Sequence, residues 1–138
     1  MKIVLVTTLG NKIIPSGIVS AVLTQTAEVA CDSLSIKIIG GKSLDEIERV
    51  YAYKNNKLIF NGYCDCQRTT ADERGFETYI YARSSACLLV DNDAFAYTYN
   101  RPSAQSLFDA YAKPFGFSYK LDDICTFKKY EVSSGSSL

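Results

Sequence analysis

The feature that most constrains the fold is a strict alternation of apolar and polar residues at positions 33–38. Leu34, Ile36 and Ile38 alternate there with serine and lysine. Because successive side chains of a strand point to opposite faces, the pattern predicts a strand with one buried face. Such a strand requires neighbours to complete a sheet, and the sequence around it supplies further β-prone runs at short intervals.

Turn residues separate these runs about every ten residues, which is typical of a small antiparallel barrel or sandwich. Gly10-Asn11 and Asn55-Asn56 favour tight hairpins, and residues 72–75 form another turn signal. We predict a closed barrel, since closure removes exposed sheet edges. The runs are Lys2–Thr8, Lys12–Ile14, a stretch within Ile18–Ala30, Ser33–Ile38, Glu46–Lys54, Lys57–Arg68 and Phe76–Ala82.

The pattern changes after Arg83. Residues 86–90 fit one helical turn, and a longer helix is predicted from about residue 100 to residue 113. Asn100 or Ser103 is the expected cap of that helix, and Pro114 with Gly116 ends it. A short apolar run at 117–121 and a final strand at 127–132 complete the segment.

The sequence therefore predicts an α+β protein, with a small antiparallel β-barrel followed by a small α/β unit. The expected divisions are a barrel at 1–83, the α/β unit at 84–132 and a serine-rich segment at 133–138. That last segment reads as a linker or as the start of a missing domain, because Ser136 or Ser137 can cap a helix beginning at Leu138.

Composition excludes several classes of function. The 138 residues carry 15 basic and 15 acidic side chains, and this zero net charge gives no reason to expect nucleic acid or membrane partners. Histidine is absent, which removes Ser-His and Cys-His nucleophile pairs. The N-terminal apolar run is too short for a signal peptide or a membrane span. The five cysteines are expected to be reduced and partly buried.

Three groups of residues are candidates for chemical sites, and in each the pattern favours a structural interpretation. The run Gly40-Gly41-Lys42-Ser43 lacks the earlier glycine of a phosphate-binding loop. Cys64 and Cys66 are expected on one face of a strand, but a metal site needs further ligands. The remaining candidates are carboxylates that flank turns, for which an acid/base pairing is the alternative: Asp91, Asp93, Asp122 and Asp123.

Tyrosines recur at alternate positions, and Tyr51 with Tyr53 and Tyr79 with Tyr81 are each expected to share one face of a strand. Such faces suit a subunit contact or a core covered by the helix, and they also suit stacking on a sugar or packing on a peptide. Tyr97 and Tyr99 are a third pair with the same spacing, outside the predicted strands.

Residues 82–94, A-R-S-S-A-C-L-L-V-D-N-D-A, resemble a segment of the late control D family, the baseplate hub proteins of contractile phage tails. Family members carry a segment of the type G-R-S-R-T-A-D-L-V-D-C-S-A. The chain departs from it at Ala82, Ser85 and Leu88. It matches at Arg83-Ser84, at Leu89-Val90-Asp91 and at Ala94.

Three further stretches follow the same family in order. Family members continue with a helix that ends in a Pro-Phe-Gly corner. Here Pro102-Ser103 opens this helix, and residues 113–117, K-P-F-G-F, close it. Residues 18–36 resemble the first barrel strands, and residues 130–138 resemble the opening of a next domain in hub proteins from prophages of Gram-positive bacteria. The resemblance thus spans nearly the whole chain.

The resemblance implies a structural protein of a phage or phage-like tail particle, assembled in the bacterial cytoplasm. Such a hub is a homotrimer in its full-length form and joins the tail tube to the spike. We expect no enzyme, cofactor or metal, and the alternative is a small carbohydrate- or peptide-binding module using tyrosine faces. The residues expected to build the joint between barrel and α/β unit are Arg83, Ser84, Ser85, Leu89, Val90 and Asp91. In that joint Arg83 would hold carbonyls or a carboxylate, and Ser84 and Ser85 would cap the next turn. Leu88 or Leu89, together with Val90, would pack under the helix.

Overall fold

The computed structural model describes residues 1–73, 75–119, 125–133 and 135. The chain divides into two compact units, Met1–Ala86 and Cys87–Leu138, called here the first and second units.

The first unit is a sheet whose seven described strands pair in antiparallel fashion. The order of strands across the sheet is β2-β1-β5-β6-β7-β4-β3. The strands are β1 (Lys2–Thr7), β2 (Lys12–Ile13), β3 (Ile18–Thr24), β4 (Ser33–Gly40), β5 (Ile47–Lys54), β6 (Lys57–Asp72) and β7 (Gly75–Ser84).

The predicted strands and hairpins of this unit are confirmed. Leu34, Ile36 and Ile38 are all buried on β4, as their alternation indicates. The β5–β6 hairpin turns at Asn55 and Asn56, whose φ angles are 51° and 62°. Asparagine tolerates this left-handed conformation, and the right-handed twist of paired strands favours a turn of that hand.

The sheet curves so that its two ends share one core. Ile3 and Leu5 of β1 belong to the same buried cluster as Leu34 and Ile36 of β4, although three strands separate β1 from β4 in the sheet. The described part of this unit contains no helix that could cover the sheet. The apolar face is therefore covered by the curvature of the sheet itself.

The predicted closed barrel is not found, because no pairing joins β2 to β3 within the described residues. β2 has only two residues, and Pro15 follows directly after Ile14 with no N–H to donate to a neighbour. The sheet therefore keeps two edges, at β2 and at β3. The coarser prediction of a mainly antiparallel β protein with few helices is confirmed.

β6 is the longest strand and links the two halves of the sheet. Its first part pairs with β5 and its later part with β7, and both pairings include Gly62 and Tyr63. A Cβ atom on Gly62 would overlap the carbonyl oxygen of Arg83 and lie 2.7 Å from the Phe60 ring. Glycine at this position allows the close approach of β6 to the end of β7.

The second unit contains two short α-helices, a 3-10 helix and a two-stranded antiparallel sheet in its described residues. Ser103 caps the longer helix, since its hydroxyl accepts a hydrogen bond from the Ser106 backbone N–H at 3.1 Å. Gly116, with φ of 82°, ends the segment as predicted. The elements are α1 (Cys87–Val90), β8 (Tyr97–Asn100), α2 (Ala104–Tyr111), the 3-10 helix Lys113–Phe115 and β9 (Lys129–Val132).

Two predictions for this unit differ from the structure or lie outside it. The helix begins at Ala104 rather than near Asn100, because residues 97–100 form β8 and pair with β9. The apolar run predicted at 117–121 lies partly outside the described residues, as does the segment 133–138.

Candidate functional site

Arg83 stands at the end of β7 and forms an ion pair with Asp65 of β6. Its Nε donates to Asp65 Oδ2, and its Nη2 donates to Asp65 Oδ1 at 3.3 Å. Both side chains are 29% exposed, so the pair is only partly screened by water. A two-point contact of this kind fixes the direction of the guanidinium as well as its position.

Ser84 and Ser85 bond to neighbouring segments of the first unit. The Ser84 hydroxyl accepts from the Asp32 N–H at 3.2 Å, and the Ser84 N–H donates to the Asp32 carbonyl at 2.8 Å. The Ser85 N–H and hydroxyl both donate to the Asn61 carbonyl, at 3.0 and 3.3 Å. We expected the two hydroxyls to cap α1, and these contacts instead tie the end of β7 to β6 and to the residue before β4.

α1 buries a residue other than the expected ones. Cys87 is 3% exposed, whereas Val90 is 41% exposed and Leu89 is half-buried. The Asp91 N–H donates to the Cys87 carbonyl at 2.8 Å and so closes the helical turn. The Asn92 amide donates to the Leu88 carbonyl at 2.6 Å, which fixes the turn away from the helix. Val90 is thus more exposed than packing beneath a helix implies, and that packing stays a prediction.

Cys64 and Cys66 lie on opposite faces of β6, contrary to the prediction. Cys64 is opposite Ala82 and Cys66 is opposite Tyr81, so a β-bulge at Asp65 interrupts the alternation. Cys64 packs partly against the core, and burial raises the pKa of its thiol. Cys66 is exposed.

The described residues contain no group of three or more His, Cys, Asp or Glu side chains arranged to hold a metal ion. Asp122 and Asp123 lie outside these residues, so the carboxylate pairing that involves them stays a prediction. The turn at Gly40-Gly41-Lys42-Ser43 is a bend between β4 and β5.

Tyr51 and Tyr53 line a groove on the outward face of the first unit. The groove has a volume of about 730 Å³ and lies beside Val4 and Val6 of β1. Lys2, Lys12, Ile14 and Asn56 complete its lining. Alternation places these tyrosines opposite the buried Val50 and Ala52, which explains why the i, i+2 spacing of the sequence identified them.

Arg49 extends this face along β5, and its surroundings are not predictable from the sequence. Its guanidinium carbon lies 4.6 Å from the centre of the Tyr63 ring and 5.5 Å from that of Tyr51. Its Nη2 donates to Asn61 at 3.0 Å. These contacts depend on strand register, because Arg49 is opposite Tyr63 and Tyr51 is opposite Asn61.

A second tyrosine cluster lies in the second unit. The Tyr99 hydroxyl donates to the Tyr111 hydroxyl at 3.2 Å, and Tyr111 donates onward to the Phe95 carbonyl at 3.4 Å. The hydrogen bond with Tyr99 is the main cause, and burial the next, that raises the pKa of Tyr111 to about 12. The Tyr97 and Tyr99 rings meet edge to face at 4.6 Å. The cluster joins β8 to α2, so it serves packing.

No helix in the described part of the chain combines the length and the apolar character needed to cross a membrane.

The sequence matches no protein-family model and no curated protein. Among solved structures, the fold is similar to that of the 43 kDa tail protein of prophage MuSo2 from Shewanella oneidensis. That match has a TM-score of 0.79 and 19% identity, and covers 99% of this chain and 46% of the other. A tail protein from Neisseria meningitidis MC58 matches with a TM-score of 0.70 and 15% identity, over 98% of this chain and 42% of the other. The chain therefore spans less than half the length of these tail proteins, and it has the fold found in that part of them.

Proposed function

We propose that this chain is a structural part of the baseplate hub of a phage or phage-like tail. In this role it links the tail tube to the spike as part of a trimer, within a tail particle assembled in the bacterial cytoplasm. The observation that carries the proposal is its fold similarity to the MuSo2 tail protein over 99% of the chain. The late control D resemblance, centred on Arg83-Ser84 and Leu89-Val90-Asp91, supports the assignment to the hub.

The open edge of the sheet at β3 supports a role in assembly. β3 reads I-V-S-A-V-L-T, with no charged residue and no proline, and it pairs only with β4 in the described residues. Val19 and Val22 are 58% and 59% exposed. Edge strands of stable monomers usually carry charges, prolines or covers that prevent pairing with another chain. An uncharged edge of this length favours pairing with a neighbouring subunit.

A structural role also fits the candidate chemical residues. Cys64 and Cys66 point to opposite faces, and Arg83 is held in an ion pair by Asp65.

A threefold ring has heterologous interfaces, so each subunit needs two different surfaces. An open sheet with one edge at β3 and another at β2 offers two such surfaces.

The proposed position of the chain in the tail particle is tested by immunogold electron microscopy on particles induced in the source bacterium. Antibodies raised against the chain should label one end of the tail, where tube and spike meet. Label along the whole tail, or intact particles from a strain in which the gene is deleted, would contradict the proposal.

The role of the β3 edge is tested in the full-length protein by mass photometry. Val22→Lys places a charge on the edge strand and should convert trimers to monomers. Val29→Lys is the matched control, because Val29 is 61% exposed and lies outside β3. A monomeric wild-type protein, or equal effects of the two variants, would count against a trimeric hub built through this edge.

The alternative of a carbohydrate- or peptide-binding module also has a specific observation in its favour. Tyr51 and Tyr53 line a groove of about 730 Å³ rather than a flat surface. Concave sites with aromatic walls and a few polar groups are the usual form of ligand sites.

A further inference from the structure

We propose that the outward face of β1, β2 and β5 docks an extended peptide segment of a partner protein, rich in aspartate or glutamate alternating with apolar residues. This face comprises the groove lining and Arg49, and is called here the β1–β5 face. The inference does not depend on the hub assignment, because it rests on the shape and charge of this face alone.

Cross-strand pairing makes the β1–β5 face continuous. On β1 and β5, Lys2 is opposite Tyr53, Val4 is opposite Tyr51 and Val6 is opposite Arg49. These pairs stand opposite the core, because the intervening residues Ile3 and Leu5 are buried. Directly opposed side chains in a sheet lie in contact distance, so the three pairs form one ridged surface.

The centre of the face is apolar. Val4, Val6 and Ile14 line the groove together with the rings of Tyr51 and Tyr53. Ile14 is 64% exposed, although a residue of this size is usually covered in a folded protein. Covering this surface would gain the free energy of removing apolar area from water.

The charges on the face have one sign. Lys2 and Lys12 line the groove, and none of the lining residues that the structure describes carries a carboxylate. The whole chain is electrically neutral, so the absence of acidic residues here is a local property. A partner with carboxylates matches this potential, whereas a basic partner is repelled.

Arg49 adds a third cation at the end of the face. Its Nε is buried and has no hydrogen-bond partner within the described residues. The rings of Tyr51 and Tyr63 and the amide of Asn61 hold the guanidinium but leave part of its hydration uncompensated. A carboxylate that docks beside such a group recovers more electrostatic energy than one beside a fully hydrated lysine.

The same features favour a peptide over a sugar or a nucleic acid. Sugar sites present acceptors for hydroxyl groups, and the described lining of the groove offers Asn56 but no carboxylate. Single-stranded nucleic acid needs several cations along its backbone and stacking rings for its bases. Here the aliphatic Val4, Val6 and Ile14 occupy the positions between the charges. Such side chains suit the apolar residues of an extended polypeptide.

The test is a titration of the 138-residue chain, labelled with ¹⁵N, followed by amide resonances. The probe is an acetylated and amidated hexapeptide in which aspartate alternates with leucine and valine. A peptide with lysine in place of aspartate is the matched probe. We expect shifts confined to β1, β2 and β5 with the acidic peptide, and affinity that falls as salt is raised.

Two variants on the face and two controls make the test specific. Lys12→Glu and Tyr51→Ser should each weaken binding by roughly tenfold, through lost charge attraction and lost ring contact respectively. Lys128→Glu and Tyr79→Ser change the same residue types at exposed positions outside the face and should leave binding unchanged. Lys12 is exposed, so its substitution does not endanger folding, and the dispersion of the spectrum checks folding of the tyrosine variant.

Other outcomes overturn the proposal. They are no shift at millimolar peptide, shifts on other strands, equal binding of the lysine peptide, or equal losses in the control variants. Stronger binding of oligothymidylate or of maltohexaose at the same face would assign it to nucleic acid or carbohydrate instead.

Discussion

Arg83, at the end of β7, forms an ion pair with Asp65, the residue at the bulge in β6. This contact holds the bulge in place. We predict that Arg83→Ala lowers the free energy of unfolding, because the carboxylate of Asp65 loses a two-point partner in a partly buried site. A double-mutant cycle with Asp65→Ala, measured by urea unfolding, should give a coupling energy of about 1 kcal/mol.

The matched control is the pair of Lys37 and Glu77, which joins β4 to β7 at 2.9 Å. Its side chains are 40% and 43% exposed, so solvent screens the attraction more strongly. The same cycle on this pair should give a coupling energy below about 0.5 kcal/mol. A cycle in which the two pairs couple equally would show that Arg83 has no special role at the bulge.

The two cysteines beside Asp65 differ in chemistry because the bulge turns them to opposite faces. Burial raises the pKa of the Cys64 thiol, so less thiolate is present at a given pH than for an ordinary thiol. We predict that iodoacetamide at mildly alkaline pH modifies the exposed Cys66 before Cys64, as measured by peptide mass spectrometry. Equal rates in the folded protein would contradict this, and equal rates in urea are expected.

The raised pKa of the Cys64 thiol also makes the stability of the folded chain depend on pH. The folded state holds the Cys64 proton more tightly than the unfolded chain does. The contribution of this group is therefore fully present below the ordinary thiol pKa, and it is lost as the pH rises through the folded-state pKa. Cys64→Ser should reduce that alkaline loss.

At the scale of elements, β6 depends on one glycine for its approach to β7. A Cβ atom on Gly62 would lie 2.8 Å from the carbonyl carbon of Arg83 and would overlap its oxygen. We predict that Gly62→Ala lowers the free energy of unfolding by about 2–3 kcal/mol, since backbone atoms cannot move aside as a flexible side chain can. Gly41→Ala is the control, because a Cβ atom there meets nothing within 4 Å. Chemical unfolding of the two variants decides the question, and equal stabilities would refute the close approach.

Elements whose signal is local could be predicted from the sequence. The alternation through Leu34, Ile36 and Ile38 identified β4, and Asn55-Asn56 identified the hairpin, since both patterns act within a few residues. β8 was missed because its four residues, Y-T-Y-N, gain their strand conformation by pairing with β9 about thirty residues later. The bulge at Asp65 was missed for the same reason, because register between strands leaves no mark within one strand.

The residues of the candidate site also divide into those that the sequence predicts and those that depend on the pairing of strands. Spacing alone identified Tyr51 and Tyr53 as sharing a face, whereas the position of Arg49 between Tyr51 and Tyr63 required the register of β5 on β6. Closure of the barrel could not be predicted either. It depends on whether β2 is long enough to reach another strand, and the hairpin signal at Gly10-Asn11 says nothing about that length.

At the scale of the whole molecule, the large buried side chains among the described residues belong to the first unit. The core cluster runs from Ile3 to Ala82. In the described part of the second unit, the buried apolar residues are the small side chains of Cys87, Ala94, Pro102 and Ala112, and α2 buries none of its residues. Because the hydrophobic contribution to folding grows with apolar area removed from water, the two units should differ in intrinsic stability.

We therefore predict that a fragment of residues 1–86 folds alone and that a fragment of residues 87–138 does not. The first fragment retains the whole core cluster and all seven described strands of its sheet. The second fragment is shorter than the roughly 60 residues at which a single domain is already only marginally stable. The fragments are compared by amide proton spectra and urea unfolding. We expect dispersed resonances and a single cooperative transition for 1–86, and narrow dispersion without a transition for 87–138. Cooperative unfolding of 87–138, or loss of dispersion in 1–86, would mean that the stability of the chain depends on more than the core of its first unit.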